Sequence, residues 1–489
     1  MKIVLIDPPG NLYGVNVGLG YLVGALKAAG HTPVVLDLNN YRRIPWKTLC
    51  RTFVGHHAPG AVGISVMSLS FPFTKGLAET LREYYRGPLI LGGAHVTIHK
   101  AELFKESRLF DALVMGEGER SLPALLDRLE GRGPGEPAEI PGVLFRVNGG
   151  FAGTQDFPLI EDLDSIPLPD FTAGGLIEME RYPLLTSRGC PFHCIYCESA
   201  VLHKRKWRPR QPRRLIEELR HAKEKYRIRY FIIQDDNFSL KRDRAFEFLH
   251  LLLEERIDLP WFCTNGIRAD TVTEELASLM RATGCQSVSL GVESLDPDVF
   301  NGLKKGETIE DIRRAVFALR NAGLTVNGLF IVGLPGDTAE KSLRSYREGK
   351  RLGLSRMFFQ PLIPFPATEV YEWSLAHGRY YMHYQDSSLS RLDVVFDTEE
   401  FPREERIRTV HKLAMKSKVY PRDPDRSSLW NLFHILGMIL RYDALGLPGH
   451  LNWLLKKGIA ILRQGRIKVE ATIRLDENHY RIGHSGSSS

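Results

Sequence analysis

Ser187-Arg188-Gly189-Cys190-Pro191-Phe192-His193-Cys194-Ile195-Tyr196-Cys197 is the stretch around which the chain is organised. Its three thiols are spaced CxxxCxxC. An iron–sulfur cube takes four ligands, usually thiolates, so three cysteines leave one iron open to a ligand from outside the chain. Structural zinc would instead close a tetrahedron with a fourth Cys or His at short spacing, and His193, inside the triplet, is badly placed for that. An odd set of thiols argues against a disulfide. The other cysteines, Cys50, Cys263 and Cys285, are scattered, which suits a reducing compartment.

Downstream of the thiols the hydrophobic pattern repeats. Strand-like runs at 182–189, 230–237, 261–267, 287–294, 326–334 and 357–363 alternate with helical patterns at 212–226, 245–255, 274–284, 309–323 and 339–353. Six such units are fewer than the eight of a closed barrel, so the expectation over 176–370 is an open, partial (β/α)6 TIM barrel with its site at the C-terminal strand ends. Upstream, residues 1–135 alternate in the same manner, with strands at 2–6, 33–38, 61–67, 88–91 and 112–115. Helices are expected at 18–29, 74–85 and 121–129. This is the pattern of a Rossmann-like, doubly wound α/β domain, whose ligands sit beyond the carboxyl ends of the strands. Those ends carry Pro8, Ser65, Ser68, Ser70, Gly92-Gly93-Ala94-His95 and Gly116-Glu117-Gly118-Glu119, with Gly18 and Gly20 opening the first helix. Glycine permits close backbone approach and small hydroxyls bond amides. No GxGxxG follows a strand, so a dinucleotide is disfavoured. The Gly/Pro-rich residues 136–175 read as an exposed linker, decorated by a hairpin near 142–151 with Asn148-Gly149 at its turn.

Cys190, Cys194 and Cys197, with Tyr196 before the last, resemble the signature of the radical S-adenosylmethionine (SAM) superfamily. The glycine-rich strand ends resemble the cobalamin-binding domain of its cobalamin-dependent branch. The resemblance implies a [4Fe–4S] cluster on the three cysteines, which are then both catalytic and metal-ligating, with SAM on the open iron. It implies SAM contacts from Asp235, Asp236 and Asn237 at the second barrel strand and Asn265 at the third. Arg268 and Glu293 would hold ribose and carboxylate, Gly333 the adenine, and Gln360 closes the series. An aspartate pair also caps helices, and a glutamate also pairs with lysine. No Asp-x-His-x-x-Gly occurs, so cobalamin is expected with its dimethylbenzimidazole off the metal. His95 is read as a polar-edge residue, with cobalt ligation as the alternative. The implied activity is methylation of an unactivated carbon of a small-molecule or lipid-like substrate, through methylcobalamin and a 5′-deoxyadenosyl radical. Alternatives are cyclisation, ring contraction or another rearrangement, or a non-catalytic iron–sulfur binding or regulatory role. An external one-electron reductant of flavodoxin or ferredoxin type is required.

The chain has 489 residues, 43% of them apolar and 25% charged, ordinary for a globular protein of two to four domains. No apolar run reaches the length of a membrane span. The N-terminus passes directly into a strand and does not read as a signal peptide, so a cytoplasmic location is expected. Net charge is +7, and the seven cations Lys204, Arg205, Lys206, Arg208, Arg210, Arg213 and Arg214 equal that excess. One local patch is not a nucleic-acid footprint. It reads as an anionic-substrate site, a reductase surface or a solvated loop. Residues 371–489 are expected to be mostly helical. A basic amphipathic helix is read at 402–420 with Ile407, Val410, Leu413 and Ala414 on one side. Apolar segments at 428–440 and 451–464 either pack on the barrel or form an interfacial pair touching a membrane.

Overall fold

The computed structural model describes residues 1–9, 15–41, 44–133, 135–148, 150–175, 178–265, 267–383 and 392–418, with the backbone of 436, 474–476 and 479–481. The segments 428–440 and 451–464 thus lie almost entirely outside the described residues.

The chain opens with β1 (Lys2–Asp7), α1 (Val17–Ala28), β2 (Thr32–Asp37), α2 (Trp46–His57), β3 (Ala61–Ser65) and α3 (Phe71–Tyr84). It continues through β4 (Leu89–Gly92), α4 (Ala94–His99), α5 (Glu102–Glu106), β5 (Ala112–Val114) and α6 (Gly118–Leu129). Four consecutive residues of β1, Val4 among them, are buried, as in a strand covered on both faces. Leu19, Val23, Leu122 and Leu125 cover one face from α1 and α6, and Leu49, Phe53, Leu77 and Leu81 cover the other from α2 and α3. The strands run in the order β2-β1-β3-β4-β5 and are parallel, so the order reverses between β1 and β3, where such sheets bind ligands.

The segment expected to be an exposed linker extends this sheet instead. Strand β6 (Val143–Val147) pairs antiparallel with β5, and β7 (Gly150–Gly153) pairs with β6. Phe157, Leu159, Ile160, Leu163 and Ile166 are then buried along a strap over the domain.

The second unit comprises β8 (Arg181–Leu184), β9 (Ser187–Arg188), α7 (Ser199–Leu202), β10 (Arg208–Pro209), α8 (Pro212–Tyr226), β11 (Tyr230–Ile233), α9 (Arg242–Glu254) and β12 (Trp261–Cys263). It continues with α10 (Glu274–Ala282), β13 (Cys285–Glu293), α11 (Pro297–Asn301), α12 (Ile309–Asn321), β14 (Thr325–Val332), α13 (Ala339–Leu352) and β15 (Arg356–Pro361). The strands β15-β14-β13-β12-β11-β8 form one open parallel sheet in that order, the expected six-unit partial barrel. Threonine starts the helices: Thr273, Thr308 and Thr338 each accept the amide three residues on, satisfying a donor the helix itself cannot.

Beyond the barrel, α14 (Glu369–His377) leads to the antiparallel pair β16 (Gly378–Tyr380) and β17 (Phe396–Thr398). Helix α15 (Arg403–Lys416) buries Val410, Leu413 and Ala414 and contacts α13 and β15. Its apolar side is core packing. No helix among the described residues is long and apolar enough to cross a membrane.

Candidate functional site

The three cysteines lie on an excursion from a hairpin. β9 and β10 pair antiparallel, Arg188 opposite Arg208, and residues 189–207 loop out between them. Gly189 has φ +83°, and a side chain there would meet the Lys206 carbonyl at 2.1 Å, so only glycine closes the base of this loop. Inside it, the Cys197 amide donates to the Cys194 carbonyl at 3.2 Å and the Ile195 amide to Leu303 at 3.2 Å. The Arg268 guanidinium lies 3.5 Å from the Phe192 ring centroid, pinning the aromatic between the first two cysteines.

All three thiols are partly exposed. Burial pushes each upward, Cys197 to about 12, so a bound metal would have to displace their protons. A single tetrahedral ion needs its ligand atoms about 4 Å apart. Among the described residues the one trio of potential ligands within 4.8 Å of one another is His31, Asp127 and Glu130, at the far end of the first domain and already paired with Arg132 and the N-terminal amine. The cysteines do not form such a tight trio, and a wider set of thiols fits a cluster better than a single zinc ion.

Asp235 was expected to meet SAM. It is fully buried instead, accepting from the Thr186 amide at 2.6 Å, the Thr186 hydroxyl and the Ser187 hydroxyl at 2.6 Å, and so fixes the strand that leads into the cysteine loop. Asp236 ties the start of the loop to its middle, just past the last cysteine, accepting from the Gly189 amide at 3.2 Å and the Ser199 hydroxyl at 2.9 Å. Neither polar atom of the buried Asn237 amide has a hydrogen-bond partner among the described residues; an orphaned amide there suits a cluster sulfide or cosubstrate. Asn265 is exposed at the end of β12, its amide on the Asp235 carbonyl at 3.3 Å. Gln360 is exposed on β15.

Arg268 and Glu293 are engaged within the protein. Arg268 forks onto Asp270 at 3.0 and 2.8 Å and donates to the Lys305 carbonyl at 2.6 Å. Glu293 sits at a register shift with φ +60°, a costly conformation for a side-chain-bearing residue and one that clusters at functional sites. It accepts from the Tyr196 hydroxyl at 3.0 Å and pairs with Lys305 at 3.5 Å. Burial raises its carboxyl, against the pull of Lys305. Gly333 does not leave room for a flat ligand: a side chain there would meet Arg406 of α15 at 2.6 Å, so the space belongs to that guanidinium.

A cavity of about 330 Å³ opens between the first domain and the cysteine loop. Its apolar floor is Leu5, Leu19, Leu22, Ile90, Val114 and Leu122, and its rim includes Ser65, Glu117, Glu119, Arg188 and Asp236. Of the expected strand-end residues, Gly18, Ser65, Gly92, Gly93, Gly116, Glu117, Gly118 and Glu119 line it. Pro8, Gly20, Ser68, Ser70 and His95 do not. Gly20 instead admits the Phe171 ring, which a side chain would meet at 2.4 Å. Ser70 bonds the Met67 backbone, and Ser68 holds the His95 ring at 3.2 Å. His95 is buried, and desolvation drops it to about 3. Its placement off the cavity supports the positional role over cobalt ligation. An apolar slot rimmed by glycine turns and polar groups fits a large ligand with an apolar aromatic arm and amide edges.

Leu185, Ser187, Arg188, His203 and Gln234 also line the cavity, and sequence reasoning missed them as ligand-facing. The basic segment supplies the reason: it is neither a solvated loop nor an open anion site at its buried positions. Arg208 reaches Glu117 at 2.6 Å, and Arg210 reaches Glu218 at 2.6 Å and the Tyr21 hydroxyl at 2.9 Å. Lys204 and Lys206 pair with Asp156 and Glu161 of the strap. Arg188 forks onto Glu117 at 3.0 Å and Glu119 at 2.6 Å. Burial alone would raise Glu117's carboxyl; the hydrogen bond from Arg208 and the charge of Arg188 outweigh it and hold it at about 2.

Comparison with known proteins agrees with this geometry. Residues 184–347 match the radical SAM superfamily and residues 4–126 match the B12 binding domain. An uncharacterized methyltransferase of Pyrococcus horikoshii is 28% identical over 396 residues, covering 77% of this chain and 84% of the relative. The anaerobic magnesium-protoporphyrin IX monomethyl ester cyclase of Rubrivivax gelatinosus is 26% identical over 398 residues, covering 76% and 70%. The fold is that of TsrM, the radical SAM methyltransferase of Kitasatospora setae solved with cobalamin and a [4Fe–4S] cluster: TM-score 0.64 at 22% identity, covering 75% of this chain and 76% of that one. The chain thus joins a B12-binding domain to a radical SAM domain whose first barrel loop carries CxxxCxxC, and in this it is similar to cobalamin-dependent radical SAM enzymes.

Proposed function

We propose that the protein methylates an unactivated carbon of a small-molecule or lipid-like substrate. One observation carries the reading: the cavity at the strand ends of the B12-binding domain is continuous with the base of the cysteine loop, so the two cofactor sites share a boundary formed by Arg188, Ser187 and Asp236. In this reading Cys190, Cys194 and Cys197 hold the cluster. Asn237, Asn265 and Gln360 offer polar contacts to SAM, with Glu293 and Arg268 shaping the wall behind. Gly92, Gly93 and the 116–119 turn would cradle the corrinoid, and Leu5 and Ile90 would offer it an apolar floor. When bound, the cluster and SAM supply a carbon-centred radical, and the corrinoid supplies a methyl group. The chain's own residues then position these groups and keep water from them. A low-potential one-electron donor of flavodoxin or ferredoxin type completes the requirement.

A second reading, cyclisation or another rearrangement without methyl transfer, is favoured by the similarity to the Rubrivivax gelatinosus cyclase. Anaerobic assays with both cofactors, a strong reductant and candidate substrates separate the two. Methylation yields 5′-deoxyadenosine and S-adenosylhomocysteine in equal amounts with product. 5′-Deoxyadenosine without S-adenosylhomocysteine overturns methylation in favour of rearrangement. No reductant-dependent cleavage of SAM overturns both. Contact with a membrane through the C-terminal segment is tested by co-flotation with anionic liposomes at low salt, where failure to float sinks it.

A further inference from the structure

One carboxylate secures both ends of the cluster-bearing loop, and it belongs to the other domain. Glu117 leads into α6 at the strand end of the B12-binding domain and lines the cavity. Its Oε1 accepts from Arg188 at 3.0 Å, and its Oε2 accepts from Arg208 at 2.6 Å and from the Ile160 amide at 2.7 Å. Arg188 and Arg208 are the paired residues of the β9–β10 hairpin, facing each other across the neck of the cysteine loop. Arg188 keeps a second partner in Glu119, but among the described residues the Arg208 guanidinium otherwise has only the Ile160 carbonyl at 2.7 Å and the His203 ring at 3.2 Å. Its Nε is buried with no hydrogen-bond partner among the described residues.

We infer that Glu117 is a positioning residue coupling corrinoid binding to the geometry of the cluster loop. A ligand that fills the cavity packs on the 116–119 turn and fixes the Glu117 carboxylate. That fixes both guanidiniums at the loop's neck, and hence the path from Arg188 to Cys190. The converse follows by linkage: a loop ordered by its cluster holds Arg188 and Arg208 in place and pre-forms the cavity rim, so each cofactor binds more tightly when the other is present. Partners that are buried and charged make such a link stiff, because displacing one leaves an uncompensated charge out of water. The inference concerns binding and holds whichever reaction follows.

The test is a titration of hydroxocobalamin into corrinoid-free full-length protein, with and without a rebuilt cluster, read by absorbance and by quenching of tryptophan emission. Wild type should bind about 5- to 10-fold more tightly with the cluster present, within the range typical of coupled sites. Glu117→Gln keeps the shape but removes the charge, and Arg208→Met breaks the same link from the other side. In both, the ratio of the two affinities should fall to near one. A residue that merely stabilised the fold would weaken both affinities alike and leave the ratio unchanged. A wild-type ratio of one, or a ratio retained in the two variants, overturns the inference.

Discussion

Replacing Asp235 with alanine should cost the barrel stability and leave the SAM site's own groups intact. The carboxylate takes three donors in a fully buried position: the Thr186 amide, the Thr186 hydroxyl and the Ser187 hydroxyl. After truncation the Ser187 hydroxyl still has the Asn237 carbonyl at 3.2 Å, so the loss falls on Thr186, which has no exposure to water. Two orphaned buried donors at about 1–3 kcal/mol each, offset in part by relief of a buried charge, give a net cost of about 3 kcal/mol. For a unit of this size that is a fall of roughly 6–12 °C in melting temperature. The assay is thermal unfolding of the cofactor-free variant by circular dichroism. Asp236→Ala serves as the comparison, since its carboxylate is partly exposed and holds only Gly189 and Ser199 of the loop. Should Asp235→Ala melt within a degree or two of wild type, or lose SAM binding with its stability unchanged, the assignment of Asp235 to the scaffold is wrong.

Other outcomes follow from the same contacts. Glu117, held near 2 against an ordinary 4.5, contributes about 3 kcal/mol that is present above pH 4.5 and lost as pH falls toward 2. Acid titration of wild type should show a loss in that window that is missing in Glu117→Gln. Asp7 has the opposite sign: burial, then the neighbouring Asp37, push it up to about 7, so its folded form keeps a proton the unfolded chain has shed, and stability declines as pH climbs from 3.8 through 7. Asp7→Asn should therefore raise the urea midpoint at pH 8 relative to wild type and change it little at pH 4. Gly93→Ala places a side chain 2.5 Å from the Val66 carbonyl at φ +111°; corrinoid content after reconstitution should drop several-fold while the cluster's iron content is retained.

The fold was legible because its periodicities were strong. Expected and observed strands coincide within a few residues, and the helix read at 212–226 is α8 (Pro212–Tyr226), since Pro at its first position and leucines at helical spacing leave little alternative. What misled was composition without partners. The linker's glycines and prolines look exposed, but Phe157, Ile160 and Leu163 between them are buried. The basic segment looks solvated because Glu117 and Asp164, which pair with Arg208 and Arg210, are distant in sequence. Gly333 looked like a ligand cradle, yet a glycine marks only that something approaches closely, and here it is Arg406. The strand-end glycines, in contrast, pointed to the cavity, because Gly18, Ser65, Gly92-Gly93 and the 116–119 turn, from four separate places in the chain, all line it.

The concentration of charge around the thiols has its own logic. A loop that must present three sulfurs to a cofactor cannot bury much of itself, and in residues 189–207 Ile195 is the one buried apolar side chain. Non-directional packing therefore cannot hold it. Directional contacts do so instead: Asp236 on Gly189 and Ser199, the Trp207 indole donating to the Asn237 carbonyl at 2.8 Å, and the arginine pair on Glu117. Such contacts fix position to fractions of an ångström but depend on every partner being present. Polar substitutions two contacts away from the cysteines should thus disturb the cluster more than apolar ones nearer by, and the chain's excess of cations is concentrated beside this loop because that is where the sheet has run out and packing alone cannot reach.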